Sequence, residues 1–303
     1  MSHFSICFAV YQNEGSLNKL YSEVVNELIT HFPDDTYELL FINDGSKDNS
    51  FNILKRIKES DPNVKVINFS RNFGQMAAIL AGWDHSSGDL SINMASDLQD
   101  PPAQIIEMIR EWKKGHEIVV SYRKSHKTSY SKKITSKLFY KLMFPKIPPG
   151  GFDVALIDKK PLKIINSLKE RNRFFQFDIL DIGFKIKFIP YDKLEREHGR
   201  SQYNFLKRFK NFYSGFLNVS YLPIRILTFL GFSVFLMGIF YSLSIIYSYF
   251  YLELPFQGWA PIMIAILLIG GMLMLMIGML GEYIWRILDE IKSRPNYIID
   301  EIL

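Results

Sequence analysis

Residues 89–102 read Asp89-Leu90-Ser91-Ile92-Asn93-Met94-Ala95-Ser96-Asp97-Leu98-Gln99-Asp100-Pro101-Pro102. The first six form a short β-rich run. An acidic residue, Asp97, stands at its end, and Pro-Pro then opens a helical pattern over Pro102–Lys114. A strand that passes through an acidic loop into a helix is one unit of an alternating α/β chain.

The alternation continues outward from this stretch. Strands are predicted at Phe4–Tyr11, Tyr37–Asn43, Val64–Phe69, Asp89–Met94 and Glu117–Ser121, and helices at Leu17–His31, Ser50–Ser60, Gln75–His85 and Pro102–Lys114. Such repetition predicts a mostly parallel, Rossmann-like sheet covered on both faces. In open sheets of this kind ligands bind beyond the carboxyl ends of the strands. Polar residues fall at those ends: Asn13-Glu14, Asp44-Gly45-Ser46, Arg71-Asn72 and Asp97. Four separate loops are therefore expected to converge on one crevice. The acidic loop suits a divalent cation, Mg²⁺ or Mn²⁺, which takes carboxylate oxygens and shares phosphate oxygens with them. Asp100 either joins that loop's work or caps the helix after it. Ser46 and Asp48 read as a turn and helix cap that coexist with any ligand role.

Composition narrows the setting. The single cysteine, Cys7, excludes an internal disulfide and lies in an apolar run, as a buried core thiol does. The net charge is +5, with Lys and Arg clustered around 123–146 and 193–210, just before the apolar third of the chain. That placement favours anionic lipid over nucleic acid as the partner. The N-terminus enters a strand-like run without a charged head, so no signal peptide is expected.

No charged residue occurs between Arg225 and Glu253, or between Glu253 and Glu282. At about 1.5 Å rise per residue each gap exceeds the roughly 30 Å hydrocarbon core, so two transmembrane helices are expected. The link around Tyr251–Trp259 lacks Lys and Arg. The outer flanks carry Lys207, Arg208, Lys210 and Arg225 on one side and Arg286, Lys292 and Arg294 on the other. This bias predicts that both termini face the cytoplasm. Tyr130, Ile134, Leu138 and Leu142, and separately Phe205, Phe209, Phe212 and Phe216, recur at helical spacing among lysines and arginines. They read as interfacial amphipathic helices or as ordinary domain helices. The expected layout is a catalytic domain over 1–202, a juxtamembrane amphipathic helix over 203–222, two spans over 223–285 and a cytoplasmic tail over 286–303.

The strand-end sets Tyr11-Gln12-Asn13-Glu14, Asn43-Asp44-Gly45-Ser46, Ser70-Arg71-Asn72-Phe73-Gly74 and Asp97-Leu98-Gln99-Asp100-Pro101-Pro102 occur in order. Gly150-Gly151-Phe152-Asp153, Glu170-Arg171-Asn172-Arg173-Phe174, Arg196-Glu197-His198-Gly199-Arg200-Ser201, Gly281-Glu282-Tyr283 and Lys292-Ser293-Arg294-Pro295 follow them. Together they resemble family 2 glycosyltransferases of GT-A fold. More narrowly they resemble the polyprenyl-phosphate sugar transferases, relatives of bactoprenol glucosyltransferase and dolichol-phosphate mannose synthase. Two positions depart from that pattern. Ala9 replaces a proline, and Ala95 replaces the first carboxylate of an Asp-x-Asp loop, which leaves Asp97 and the substrate diphosphate to hold the cation.

The resemblance implies an inverting hexosyl transfer from a nucleotide-sugar, UDP-linked by preference, to polyprenyl phosphate at the cytoplasmic membrane face. It implies that Tyr11, Asn13, Glu14, Asp44, Ser46, Arg71, Asn72 and Asp97 hold the donor, with Asp97 the metal ligand. Asp153 matches the family's catalytic aspartate, either as a base or as an orienting group. Arg196, His198, Arg200 and Ser201 are acceptor-phosphate candidates, since guanidinium forks suit phosphate oxygens. Arg123, with Lys124, reads as a further phosphate contact or as a solvated basic face. A homo-oligomer, a tetramer by family analogy, and a separate flippase are also implied. The alternatives are a polysaccharide synthase, whose acceptor motif and extra spans are not found, and an inactive membrane scaffold, for which Ala95 is the sequence argument.

Overall fold

The computed structural model describes residues 1–123, 152–168, 173, 175–192, 194, 222–251, 258–292 and 294–303. The chain divides into two units, Met1–Asn211 with Pro295–Leu303, and Phe212–Arg294.

In the first unit the predicted alternation is present nearly residue for residue. The elements are β1 (His3–Val10), α1 (Leu17–His31), β2 (Thr36–Asn43), α2 (Ser50–Ser60), β3 (Val64–Phe69), α3 (Gln75–Asp84), β4 (Leu90–Ala95), α4 (Ala103–Lys113) and β5 (Ile118–Arg123). Beyond them lie β6 (Phe152–Asp158), α5 (Lys159–Ser167), α6 (Phe175–Asp181), β7 (Ile186–Tyr191) and β8 (Ile299–Ile302). The sheet order is β7-β5-β6-β4-β1-β2-β3-β8. Strands β3, β2, β1 and β4 pair in parallel, as do β5 and β7, while β6 runs antiparallel between β4 and β5, and β8 antiparallel along β3.

The central strands are continuous apolar runs because helices cover both faces. Ile6, Phe8, Leu39, Phe41, Val66 and Ile92 are all inaccessible to solvent. Helix α1 contacts α2 and α4, and α3 lies against β1, β2 and β4 with α5 beside it. Helix α1 buries Leu17, Leu20, Val24 and Leu28, a spacing that keeps one stripe on the core. Each such side chain stabilises the fold by about 1.5–3 kcal/mol relative to an exposed one. Helix α5 starts where Asp158 accepts a hydrogen bond from the Lys160 N–H at 2.9 Å, a side-chain cap. Cys7 is buried as expected. Burial pushes its thiol up to about 11 against the hydrogen bonds it shares with Ser86 and Ser91.

The second unit contains α7 (Leu222–Tyr251) and α8 (Trp259–Ile291). Within α8, Ile269–Ile291 is long and apolar enough to cross a membrane; the apolar stretch described in α7, Leu227–Tyr241, is shorter. Large apolar side chains such as Phe229, Met237, Met274 and Leu275 stand exposed on both.

Two boundaries differ from the sequence expectation. Helix α8 continues past 285 to Ile291, and Glu282 and Arg286 pair at 3.1 Å along its polar end, a small local support. Residues 299–302, expected in a tail, form the eighth strand. Val66 and Leu303 exchange backbone hydrogen bonds at 3.0 and 2.9 Å, which satisfies the edge of β3. Both amphipathic stretches, 130–142 and 205–216, lie outside the described residues.

Candidate active site

The order of the sheet reverses between β1 and β4: β2 and β3 lie on one side of β1, and β4 on the other. A crevice at such a switch point is the standard ligand position of an open α/β sheet. The loops that leave β1, β2, β3 and β4 meet there, and their polar residues bind one another.

The Tyr11–Glu14 loop is laced to the loop after β2. The N–H groups of Gln12, Asn13 and Glu14 donate to Ser46 Oγ (3.0 Å), Ser50 Oγ (3.0 Å) and Asp48 Oδ2 (3.2 Å), and Asn49 N–H donates back to Glu14 Oε2 at 2.9 Å. Asn13 also reaches across the switch point. Its Oδ1 accepts from Tyr11 N–H at 3.0 Å and lies 3.0 Å from Ser96 Oγ, while Ser16 Oγ donates to the Ser96 carbonyl at 2.7 Å. Ser46 and Asp48 thus hold two loops together, and Asp48 also shapes the start of α2, where its Oδ1 accepts from Ser50 N–H at 3.1 Å; the N-cap position itself is Asn49, whose side chain caps no backbone N–H.

Asp44 is buried at the end of β2, and both carboxylate oxygens are engaged. Oδ1 accepts from Phe73 N–H, and Oδ2 from Gly74 N–H and Asn72 Nδ2, at 2.6, 2.9 and 2.9 Å. Burial pushes this carboxyl up, and the Phe73 and Gly74 donors draw it back part of the way. Asp44 therefore shapes the Arg71–Gly74 loop, and Arg71 is laid over the Phe73 ring with its guanidinium carbon 4.4 Å from the centroid. Gly45 has φ +61, and a Cβ there would sit 2.4 Å from the Arg71 carbonyl carbon. Gly45→Ala is expected to lower stability by at least about 2 kcal/mol, from left-handed strain plus a backbone clash. Chemical denaturation measures it, and an unchanged midpoint would refute the close approach.

Among the described residues only Gln12 and Leu98 have positive φ without being glycine, at 55° and 57°. Both lie in loops of this crevice, where such strain is commonly stored. Leu98 follows Asp97, which is half-buried and whose Oδ1 accepts from Gln99 N–H at 3.2 Å.

Asp100 does not cap α4. Pro102 occupies the N-cap without a side-chain hydrogen bond, and the Asp100 carboxylate, almost fully buried, turns instead to Tyr191, whose hydroxyl donates to Oδ1 at 2.5 Å. A second bond runs beside it, from Leu194 N–H to the Gln99 carbonyl at 2.9 Å.

Arg123 ends β5, and its guanidinium pairs with the Asp153 carboxylate. Asp153 begins β6. Continuing the register that sets Asn93 opposite Ala155 places Asp153 opposite Ala95, at the end of β4. Asn93 Nδ2 donates to the Asp153 carbonyl at 2.9 Å. Burial opposes the charge on Arg123, but Asp153 and the Tyr191 phenol outweigh it and hold the guanidinium above its ordinary value. The Arg123 side chain is thus 25% exposed and paired, not turned freely to solvent.

Among the described residues no group of three His, Cys, Asp or Glu side chains forms a metal site. The donor set still fits a cation held mainly by substrate. Mg²⁺ is commonly bound by one or two carboxylates plus substrate phosphates, and Asp97 is one such group, with Ala95 where a second would stand. Arg196, His198, Arg200, Ser201 and Lys124 lie outside the described residues. The sequence reading missed Tyr191 and the bridging role of Ser96. The alternating Ile186-Lys187-Phe188-Ile189-Pro190-Tyr191 run was the available signal for β7.

The sequence model described as "Glycosyl transferase family 2" matches residues 5–181. The chain is 34% identical to the "Uncharacterized glycosyltransferase sll0501" of Synechocystis over 98% of its own length and 95% of that protein. It is 36% identical to the "Bactoprenol glucosyl transferase" of Shigella phage SfII over 86% of each. Among solved structures it superposes on mannosyl-3-phosphoglycerate synthase of Rubrobacter xylanophilus with a TM-score of 0.55 at 14% identity, covering 76% of this chain and 75% of that one. It also superposes on the mannosyltransferase PcManGT of Pyrobaculum calidifontis, solved with GDP-Man and Mn²⁺, with a TM-score of 0.52 at 10% identity. That likeness covers 72% of this chain and 64% of the other.

Proposed function

The chain belongs to glycosyl transferase family 2, and on that premise we propose that it transfers a hexose from a UDP-sugar to polyprenyl phosphate at the cytoplasmic face of a membrane. The observation that carries this reading is the Arg123–Asp153 pair. It sets a guanidinium, a group suited to phosphate oxygens, beside a carboxylate at the same sheet end as the Asp44 and Asp97 loops. The shared sequence with proteins named bactoprenol glucosyl transferase supports the lipid acceptor.

The acceptor is a phosphate monoester, with a second pKa near 6, so it is largely dianionic at pH 7. Its oxygen attacks the anomeric carbon, the bond from that carbon to the diphosphate oxygen breaks, and nucleoside diphosphate leaves. A single displacement inverts the anomeric configuration. Because the nucleophile is already ionised, the site chiefly has to align two anions and spread charge. Asp153, whose partner is a guanidinium, fits an orienting role better than that of a base. Arg123, with Arg196, His198, Arg200 and Ser201, would bind the acceptor phosphate, and Tyr11, Asn13, Glu14, Asp44, Ser46, Arg71 and Asn72 would enclose the donor. Asp97 would hold Mg²⁺ or Mn²⁺, which when bound would neutralise charge on the leaving diphosphate.

Helices α7 and α8 would be two spans that return the chain to the same side, with the segment over 203–222 at headgroup height beside the prenyl acceptor. The polar headgroup of the product would need a separate flippase to cross the bilayer, and the working unit would be a homo-oligomer.

The test is extraction. Detergent-solubilised protein given radiolabelled UDP-glucose and polyprenyl phosphate is expected to move label into organic solvent in a metal-dependent way. Absence of transfer with UDP-glucose and a panel of other nucleotide-sugars would refute the proposal.

A further inference from the structure

Four side chains from four parts of the chain form one connected polar group at the edge of the crevice. They are Asp100 from the acidic loop, Arg123 from the end of β5, Asp153 from the start of β6 and Tyr191 from the end of β7. In the parallel β5–β7 pair Arg123 and Tyr191 are direct partners in register, which puts their side chains on the same face of the sheet. The Tyr191 ring is almost fully buried. Its hydroxyl donates to Asp100 Oδ1 at 2.5 Å, and Arg123, its register partner on the neighbouring strand, lies close enough for the two groups to interact.

The chemistry sets the direction of each bond. A guanidinium has only donors, so Arg123 can engage the phenol only through the phenol oxygen. The phenol proton is then committed to Asp100, whose carboxylate can only accept. Arg123 spends its remaining reach on Asp153. A long side chain that could swing freely thereby stands between Asp153 and the phenol, which are on different strands, and the phenol stands between the arginine and the loop that carries Asp97.

We propose that Tyr191 is a positioning residue for the acceptor phosphate: by accepting from Arg123 while donating to Asp100, it fixes the guanidinium beside Asp153 and couples the acceptor side of the site to the acidic donor loop. The inference rests on the reading of Arg123 as an acceptor-phosphate contact. It adds a residue that touches neither substrate and acts through one that does. A preoriented fork loses less freedom on binding a phosphate than a mobile one, so the effect belongs in acceptor binding.

Tyr191→Phe keeps the buried ring and removes only the hydroxyl. The KM for polyprenyl phosphate is expected to rise on the order of ten-fold, while the KM for the UDP-sugar stays within about two-fold and the unfolding midpoint moves little. Asp100→Asn retains an oxygen that accepts from Tyr191 and should lie close to wild type. Asp100→Ala should reproduce the shift from the other end of the bond, and it serves as the test if Tyr191→Phe does not fold. An unchanged acceptor KM in Tyr191→Phe, or donor and acceptor KM values that rise together with a lowered midpoint, would overturn the inference and leave the reaction in place. A wild-type enzyme that transfers sugar to no polyprenyl phosphate would instead remove the reading beneath it.

Discussion

Asp97→Asn is expected to reduce kcat/KM by on the order of 10²–10³ without unfolding the protein. The asparagine oxygen can still accept from Gln99 N–H, the contact that shapes the turn, so the loop keeps its form and only the charge is lost. In sites with two carboxylates the second one softens such a loss. Here Ala95 stands in that place, and on the proposed reading Asp97 would carry the protein's share of cation binding among the described residues. The measurement is the transfer assay over a Mg²⁺ or Mn²⁺ titration, with thermal unfolding as the control for folding. Excess cation should recover part of the activity of the variant. A variant with wild-type activity at low cation would show that Asp97 does not carry the charge assigned to it.

Removal of residues 296–303 is expected to destabilise the first unit by about 4 kcal/mol, from one lost aromatic contact and several lost hydrogen bonds. Tyr297 stacks on Phe69 with centroids 5.1 Å apart and donates to Asp84 Oδ2 at 2.8 Å. Ser70 N–H donates to the Ile298 carbonyl, and Val66 bonds Leu303 in both directions. Lys55 pairs with Glu301 at 3.2 Å, an exposed contact worth little by itself. Without the strand, β3 would present an unpaired edge, and the truncated protein should also associate. Denaturant midpoints and light scattering on the detergent-solubilised forms test both effects. Tyr297→Phe, which loses one hydrogen bond, should cost only about 1 kcal/mol. A truncated protein with the wild-type midpoint would show that β8 merely rests on the sheet.

The consequence for the site is direct. Asn68, on β3, receives the C-terminal strand through its contact with Asp300 Oδ2 at 3.3 Å and accepts from Asn43 Nδ2 at 2.7 Å. Asn43 is the residue before Asp44. The end of the chain therefore braces the strand that delivers Asp44 to the Arg71–Gly74 loop.

The strands and helices up to Arg123 were legible from residue order because each is a contiguous run whose period is its own signal. The apolar strands Ile6–Val10 and Leu39–Ile42 mark a doubly covered sheet, and Leu17, Leu20, Val24 and Leu28 mark a one-sided helix. Polar residues at strand ends, from Asn13 to Asp97, carried the position of the crevice for the same reason: parallel connectivity puts every such end on one side. Tertiary structure alone decided the rest. Strand β6 enters antiparallel between two strands that precede it, Tyr191 meets Asp100, and Asp300 meets Asn68 from 232 positions away. No local period encodes those pairings. They follow from which sheet edges and buried polar groups remain unsatisfied once the parallel core has formed.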